Sequence, residues 1–104
     1  MSSIFTKIIN REILSDIVYE QDNIIVIRDI NPQAKTHLLI IPKKEIETIN
    51  DFIEEDREIM SDMIFVAKKV AIDLWIEKAY KLSINVWDLQ DVMHIHMHLL
   101  SDLW

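Results

Sequence analysis

Histidines are the residues of this chain whose spacing most clearly suggests chemistry. Three of the four stand at every second position, as His94, His96 and His98. The residues between them are apolar, and a period of two is typical of a β-strand, whose successive side chains point to opposite faces. We therefore predict a strand over 94–100 with three imidazoles on one face, about 6.6 Å apart. The residues predicted to face a core are Ile95, Met97 and Leu99.

The fourth histidine, His37, lies in a second apolar run, Thr36-His37-Leu38-Leu39-Ile40-Ile41-Pro42. A short apolar run that ends at a proline is typical of a buried strand. The sequence thus predicts histidines on two strands.

Three hypotheses fit the row of histidines. A half-exposed strand can carry imidazoles that have no function. A metal site is possible because imidazole is the commonest metal-ligating side chain. His94 and His98 would lie about 13 Å apart on an extended strand, too far to share one ion, although adjacent histidines could share one with His37. The third hypothesis is nucleophilic and acid–base catalysis by neutral imidazoles on phosphorus or carbonyl carbon. The row alone does not separate the three.

Composition limits the classes of protein that the chain can belong to. Its 104 residues, half of them hydrophobic, suit one folded domain spanning 1–104. A net charge of −7 argues against nucleic acid as a partner. No apolar run approaches the roughly 20 residues of a membrane span, so we predict a soluble, cytoplasmic protein. The absence of cysteine excludes disulfides and thiolate metal sites.

The chain contains no glycine. At the usual frequency of about 7%, roughly seven glycines would be expected in a chain of this length. Turns and helix C-termini normally use glycine because it adopts positive φ at little cost.

The predicted elements follow from hydrophobic period and turn residues. In chain order they are a short helix over 3–10, a hairpin over 16–19 and 24–28, a strand over 36–42, a long amphipathic helix over 54–75, a strand over 80–86, a loop over 87–91 and the histidine strand. Strands that neighbour one another in sequence favour an α+β fold with an antiparallel sheet of about five strands. We expect both helices on one face of that sheet.

Two stretches together resemble the histidine triad (HIT) superfamily. They are Asp29-Ile30-Asn31-Pro32-Gln33-Ala34 with the His37 strand and Lys43-Lys44, and Gln90-Asp91-Val92-Met93 with the triad His94 to Leu100. The chain is most similar to the Hint-like branch, the purine nucleoside phosphoramidases, from Ile4-Phe5 to Trp104. The resemblance implies a homodimer whose sheets join into ten strands, with the long helix at the interface. No metal or cofactor is implied.

The resemblance also implies a role for particular residues. His96 would be the nucleophile that attacks the α-phosphorus of a purine nucleoside monophosphate derivative, similar to AMP or GMP. His98 and His37 would contact phosphate or help to protonate the leaving group, and His94 would orient the row. Asp29 would accept hydrogen bonds from the ribose hydroxyls. The positions that match the purine pocket are Ile4, Phe5, Ile8, Ile27, Arg28 and Ile30, although the spacing of Ile4, Phe5 and Ile8 also fits plain core. Asn85 matches a polar position beside the phosphate.

The chain departs from the family at its glycines. Residues 86–90 stand in place of a glycine-rich turn, and 101–103 in place of a glycine pair. Trp75, Trp87 and Ala79 stand at family glycine positions, and Asp91 stands where relatives often have serine. A carboxylate there would repel phosphate. Either glycine has been removed by design, or a nonstandard codon written here as tryptophan encodes glycine.

Two functions of different kinds remain. The chain can be a hydrolase that cleaves the P–N or a related bond through a covalent nucleotidyl-histidine. Alternatively, it can be a catalytically weak or inactive nucleotide-binding or interaction module of the same fold, as Trp87, Asp91 and the missing glycines suggest.

Overall fold

The computed structural model describes residues 2–102. In chain order it contains α1 (Ile4–Ile9), β1 (Ile17–Glu20), β2 (Ile24–Arg28), β3 (Thr36–Pro42), α2 (Arg57–Asp73), β4 (Lys81–Ile84) and β5 (Met97–Ser101). The strands form one antiparallel sheet in the order β1-β2-β3-β5-β4. This confirms the predicted α+β class and five-stranded sheet. Leu103 and Trp104 lie outside the described residues. Leu103 belongs to the stretch that stands in place of the family's glycine pair, and Trp104 ends the predicted resemblance.

None of the helices within residues 2–102 is long and apolar enough to cross a membrane.

The sheet buries both of its faces, and the register assigns each side chain to one of them. On β3, Leu38 and Ile40 pack against α2 together with Met97 and Leu99 of β5. Leu39 is opposite His98 in the pairing of β3 with β5, so His98 lies on the other face. The predicted alternation of the histidine strand is confirmed, since Met97 and Leu99 are in the core and His98 is not.

The two helices cover opposite faces, so the expectation that both lie on one face is wrong. Phe5 and Ile8 of α1 pack with Ile25, Leu39 and Ile41, whose neighbours along the strands contact α2. The predicted short helix is present as α1, but the helical spacing of its apolar residues does not indicate which face of a sheet a helix will cover.

The histidine strand begins at Met97, three residues later than predicted. If the register of Ile40 with Met97 continued, Ile95 would face Pro42. Proline has no N–H for the ladder. The N–H of Ile95 instead donates to the carbonyl of Ile46 at 2.7 Å, and residues 94–96 form an irregular segment outside the sheet.

Helix α2 is shorter than predicted at both ends. Residues 54–56 form a 3₁₀ turn before it, and the strand predicted over 80–86 contracts to β4. At its end, Trp75 has a φ of 61°. The Trp75 N–H bonds to the Ile72 carbonyl and the Ile76 N–H to the Ala71 carbonyl, at 3.1 and 3.0 Å. This is a Schellman motif, in which the left-handed residue is usually glycine.

Replacing Trp75 by glycine should stabilise the protein by about 1 kcal/mol. A left-handed non-glycine residue costs about 1–2 kcal/mol, which exceeds the entropy that glycine adds to the unfolded chain, up to about 1 kcal/mol. The indole is almost fully exposed, so little packing is lost. Urea unfolding of Trp75→Gly measures the gain. Trp75→Ala is the control, because it removes the indole and keeps Cβ; an equal gain in both variants would contradict the backbone argument.

Candidate active site

The nucleophile predicted from the sequence, His96, has one ring nitrogen engaged and one without a partner. Its Nδ1 lies 2.8 Å from the carbonyl oxygen of His94. A carbonyl oxygen can only accept, so in neutral His96 the hydrogen must be on Nδ1 and the lone pair on Nε2. No hydrogen bond reaches His96 Nε2 from residues 2–102, although the residue as a whole is buried. An imidazole held in this way presents a free lone pair in one direction.

His37 and His98 form a second chain of hydrogen bonds. The backbone N–H of Gln33 donates to His37 Nδ1 at 3.0 Å, so the hydrogen of neutral His37 is on Nε2. That nitrogen lies 2.9 Å from His98 Nδ1, which must then accept. The hydrogen of His98 is therefore on Nε2, which is buried and has no partner in the described part of the chain. A buried donor without a partner costs about 1–3 kcal/mol, and an anionic ligand would satisfy it.

His94 has both ring nitrogens engaged and is completely buried. Its Nε2 lies 2.8 Å from the Pro42 carbonyl, and its Nδ1 lies 2.6 Å from Ser3 Oγ. It cannot attack a substrate without breaking these bonds. Its contact with the site is the carbonyl that holds His96.

An apolar cavity of about 240 Å³ opens beside His96 and His98. The predicted purine-pocket and ribose residues that line it are Ile4, Phe5, Ile8, Ile27, Arg28, Asp29 and Ile30. Asp29 Oδ1 accepts the Asn31 N–H, and its Oδ2 lies 3.4 Å from His37 Nε2. An apolar slot that ends at a carboxylate and two imidazoles suits a ligand with a flat apolar part and a polar part.

A second, polar cavity of about 380 Å³ lies on the other side of His98. Its lining includes His37, Ser83, Lys81 and Asn85. His98 and Asp91 line both cavities, so they stand at the boundary between them. Trp87 lines neither cavity.

Burial favours the neutral form of the triad. Desolvation lowers the pKa of His96, against the His94 carbonyl hydrogen bond and the charges of Asp91 and Asp29, which raise it. Burial also lowers the pKa of His98, helped by the neighbouring His96 and His37, and that of His94. Neutral imidazole is the form that attacks an electrophile.

Comparison with known proteins agrees with this geometry. Residues 2–103 match the family model described as scavenger mRNA decapping enzyme C-term binding. A purine nucleoside phosphoramidase of Escherichia coli K12 is 50% identical over 102 residues, 95% of this chain and 86% of the relative. The chain belongs to the histidine triad family. It is a HIT family hydrolase.

Solved HIT structures have the same fold. A HIT family hydrolase from Legionella pneumophila Philadelphia 1 superposes with a TM-score of 0.93 at 46% identity, covering 96% of this chain and 92% of that one. The HIT family hydrolase from Clostridium thermocellum also gives 0.93, at 43% identity, and covers 98% and 91%.

The structure brings most of the predicted HIT site residues to one region. His94, buried behind His96, and Asn85 and His37, in the polar cavity, lie outside the lining of the apolar cavity. Sequence reasoning missed six residues that line the apolar cavity: Ile13, Leu14, Ser15, Asn31, Leu39 and Val92. Leu14 is 95% exposed. The signal available in the sequence was the apolar pair Ile13-Leu14 in a stretch between the predicted short helix and the first predicted strand.

Asp29, His37 and His98 are the residues that bear on the metal hypothesis, since their ligand-type atoms lie within 4.8 Å of one another. The 2.9 Å between the two imidazole nitrogens is the length of an N–H···N bond. Two nitrogens on one tetrahedral ion, each about 2.0–2.1 Å from the metal, lie farther apart than this. The arrangement of His37 and His98 therefore fits a hydrogen bond between the two rings better than ligation of a metal.

The buried triad predicts that stability falls in weak acid. With the pKa of His94, His96 and His98 lowered, the unfolded HIT chain binds more protons than the folded one below about pH 6.5. The unfolding free energy should be constant above about pH 7 and fall as the pH drops below 6.5. Urea unfolding at stepped pH measures it, and His98→Gln should give a shallower fall. A flat profile between about pH 7 and 5 would contradict the argument.

Proposed function

We propose that this HIT hydrolase cleaves the P–N bond, or a related bond, of purine nucleoside 5′-phosphoramidates through a covalent nucleotidyl-His96 intermediate. The observation that carries the proposal is the orientation of His96. Its Nδ1–H is held by the His94 carbonyl, and the residue lines the apolar cavity. The E. coli relative is named a purine nucleoside phosphoramidase.

The reaction takes two displacements at phosphorus. The lone pair of His96 Nε2 forms a bond to the α-phosphorus while the bond from phosphorus to the amine nitrogen breaks, and that nitrogen takes up a proton. Water then attacks the phosphorus, the P–Nε2 bond breaks, and nucleoside monophosphate and free His96 are released. Dividing one hard displacement into two lowers each barrier.

Other side chains of the site assist at the phosphoryl group. His98 Nε2–H, which is buried and has no partner within residues 2–102, would donate to a phosphoryl oxygen or to the leaving nitrogen. His37 fixes the tautomer of His98 through their hydrogen bond. Asn85 lines the polar cavity and supplies a further polar contact beside the phosphate. A donor already aligned in the folded enzyme needs no reorganisation during the reaction.

The nucleoside lies in the apolar cavity. The purine packs among Ile4, Phe5, Ile8, Ile27 and Ile30, with the stem of Arg28 at the edge. The Asp29 carboxylate accepts hydrogen bonds from the ribose hydroxyls, since an ionised carboxylate is a strong acceptor.

A homodimer completes the proposal. Helix α2 exposes Ile64, Phe65 and Ile72, and β4 lies at one edge of the sheet. An exposed apolar helix face and an open edge strand are each suited to pairing between copies of a chain, so two sheets would join into ten strands.

Release of AMP from adenosine 5′-phosphoramidate tests the proposed reaction. We expect AMP and ammonia in steady-state assays, and an acid-quenched sample should carry adenylate on the peptide that contains His96. Binding of AMP without any release from the phosphoramidate would overturn the enzymatic proposal.

Asp91 favours the second candidate, a binding module with little turnover. Its carboxylate lines both cavities beside His98, where a negative charge opposes a phosphoryl group. This candidate predicts AMP affinity by calorimetry with no detectable hydrolysis, so measurable turnover excludes it.

A further inference from the structure

Ser3 joins the start of the chain to the histidine row. Its Oγ lies 2.6 Å from His94 Nδ1, 91 positions away in sequence. The same oxygen accepts the Thr6 N–H at 3.0 Å and so caps α1. Phe5 of that helix places its ring edge-on to His94 and His96, with centroids 5.7 and 5.1 Å apart.

Counting hydrogens decides which way the Ser3–His94 bond runs. His94 Nε2 faces the Pro42 carbonyl, so it must donate, and Nδ1 of the neutral ring must accept. The one hydroxyl hydrogen of Ser3 therefore goes to His94. The Thr6 hydroxyl, 3.3 Å from Ser3 Oγ, gives its own hydrogen to Glu45. Glu45 also accepts the Ser3 N–H at 2.7 Å, which holds Ser3 in place.

We propose that Ser3 is a positioning residue for the nucleophile, acting through His94. The Ser3 hydroxyl and the Pro42 carbonyl hold the His94 ring at both nitrogens. The backbone carbonyl of His94 in turn accepts the hydrogen of His96 Nδ1. One hydroxyl thus connects the helix that walls the apolar cavity to the residue that sets the direction of the attacking lone pair. This role rests on the proposed function of His96.

Ser3→Gly and Ser3→Thr separate positioning from helix capping. Glycine is nearly as good an N-cap as serine but has no hydroxyl, whereas threonine retains both the cap and the donor. We expect Ser3→Gly to lower kcat for adenosine 5′-phosphoramidate about tenfold, since small misplacements of reacting groups are costly. AMP affinity should change less than about twofold, and Ser3→Thr should restore kcat.

Nitrogen NMR of the histidine rings gives a readout that does not depend on turnover. In Ser3→Gly, the His94 Nδ1 resonance should move towards that of an acceptor with no hydrogen bond, while its Nε2 stays protonated. A rise in KM with kcat unchanged would mean that Ser3 acts only through α1 and would overturn the proposal. An unshifted Nδ1 resonance would also overturn it. Absence of turnover in the wild type with the expected NMR shift would fault the proposed function instead.

A separate observation concerns Trp75 and Trp87. Both have positive φ, 61° and 56°, and both side chains are exposed, at 88% and 58%. A bulky residue in the left-handed region is an outlier that needs compensating contacts, and exposed indoles provide few. Two of the chain's three tryptophans thus have a positive φ and an exposed side chain, and the sequence has no glycine. We infer that positions 75 and 87 are glycine in the protein as its own cells make it, through a codon read there as glycine.

Peptide mass spectrometry of the protein purified from those cells tests this inference. The peptides that span positions 75 and 87 should each have the mass of glycine at that position. Tryptophan at either position would overturn the inference. Arg11 and Asp102 also have positive φ and serve as internal controls. Their peptides should have the masses of arginine and aspartate at these positions.

Discussion

His96→Ala should lower kcat for adenosine 5′-phosphoramidate by about 10⁶-fold, the order of loss seen when a covalent nucleophile is removed. The variant keeps the apolar cavity and the hydrogen bonds of His37, but it has no nitrogen that can bond to phosphorus. No adenylate should be trapped on the protein after acid quenching. Steady-state release of AMP and intact-mass analysis are the measurements.

Two further measurements show that the loss comes from the missing nucleophile. AMP affinity by calorimetry should stay within about threefold of the wild type, since the other residues that line the cavity, among them Phe5, Ile27 and Asp29, are unchanged. Added imidazole should restore part of the turnover by occupying the space of the lost ring. Turnover equal to that of the wild type would refute the covalent mechanism.

His98→Ala should lower kcat by about 10²–10³-fold, within the usual range for a positioned proton donor. The reason is the buried Nε2–H of His98, which has no partner within residues 2–102. If this hydrogen goes to the leaving nitrogen, the loss should be largest for phosphoramidates of basic amines. It should be small for esters with acidic alcohols, which depart without a proton.

His37→Ala is the matched variant for that experiment. It removes the donor to His98 Nδ1 and lets the hydrogen of His98 move to either ring nitrogen. The expected loss is smaller than for His98→Ala but has the same dependence on the leaving group. A loss that is uniform across leaving groups in both variants would assign His98 to phosphate binding. No loss in either variant would remove it from the site.

The sheet was predictable from the sequence because each strand carries its own signal. The alternation of Met97, His98 and Leu99 defines the faces of β5, and the run up to Pro42 defines β3. The family resemblance predicted the roles of His96, of Asp29 and of the residues in the purine pocket. These residues line one cavity. The extent 1–104 of the domain, the homodimer and the cytoplasmic location remain predictions.

Contacts between residues distant in sequence were not predictable. The sequence shows that Pro42 ends strand β3. That Pro42 also keeps Ile95 out of the sheet depends on the register of β5, which begins more than fifty residues later. The bond from Ser3 to His94 likewise depends on which face α1 covers. The left-handed residues at 75 and 87 could be suspected only because the family resemblance places them at glycine positions, since tryptophan gives no local indication of positive φ.

Strand β3 is central in the sheet, and all of its residues except Thr36 are buried. Its amide hydrogens should therefore exchange with deuterium only when the whole protein unfolds, whereas those of the short helix α1 exchange through smaller openings. His37 is thus carried by the slowest-exchanging part of the molecule, and Phe5 by a faster one. The imidazole of His37 keeps its position while the hydrophobic wall formed by α1 can open to admit and release a nucleotide.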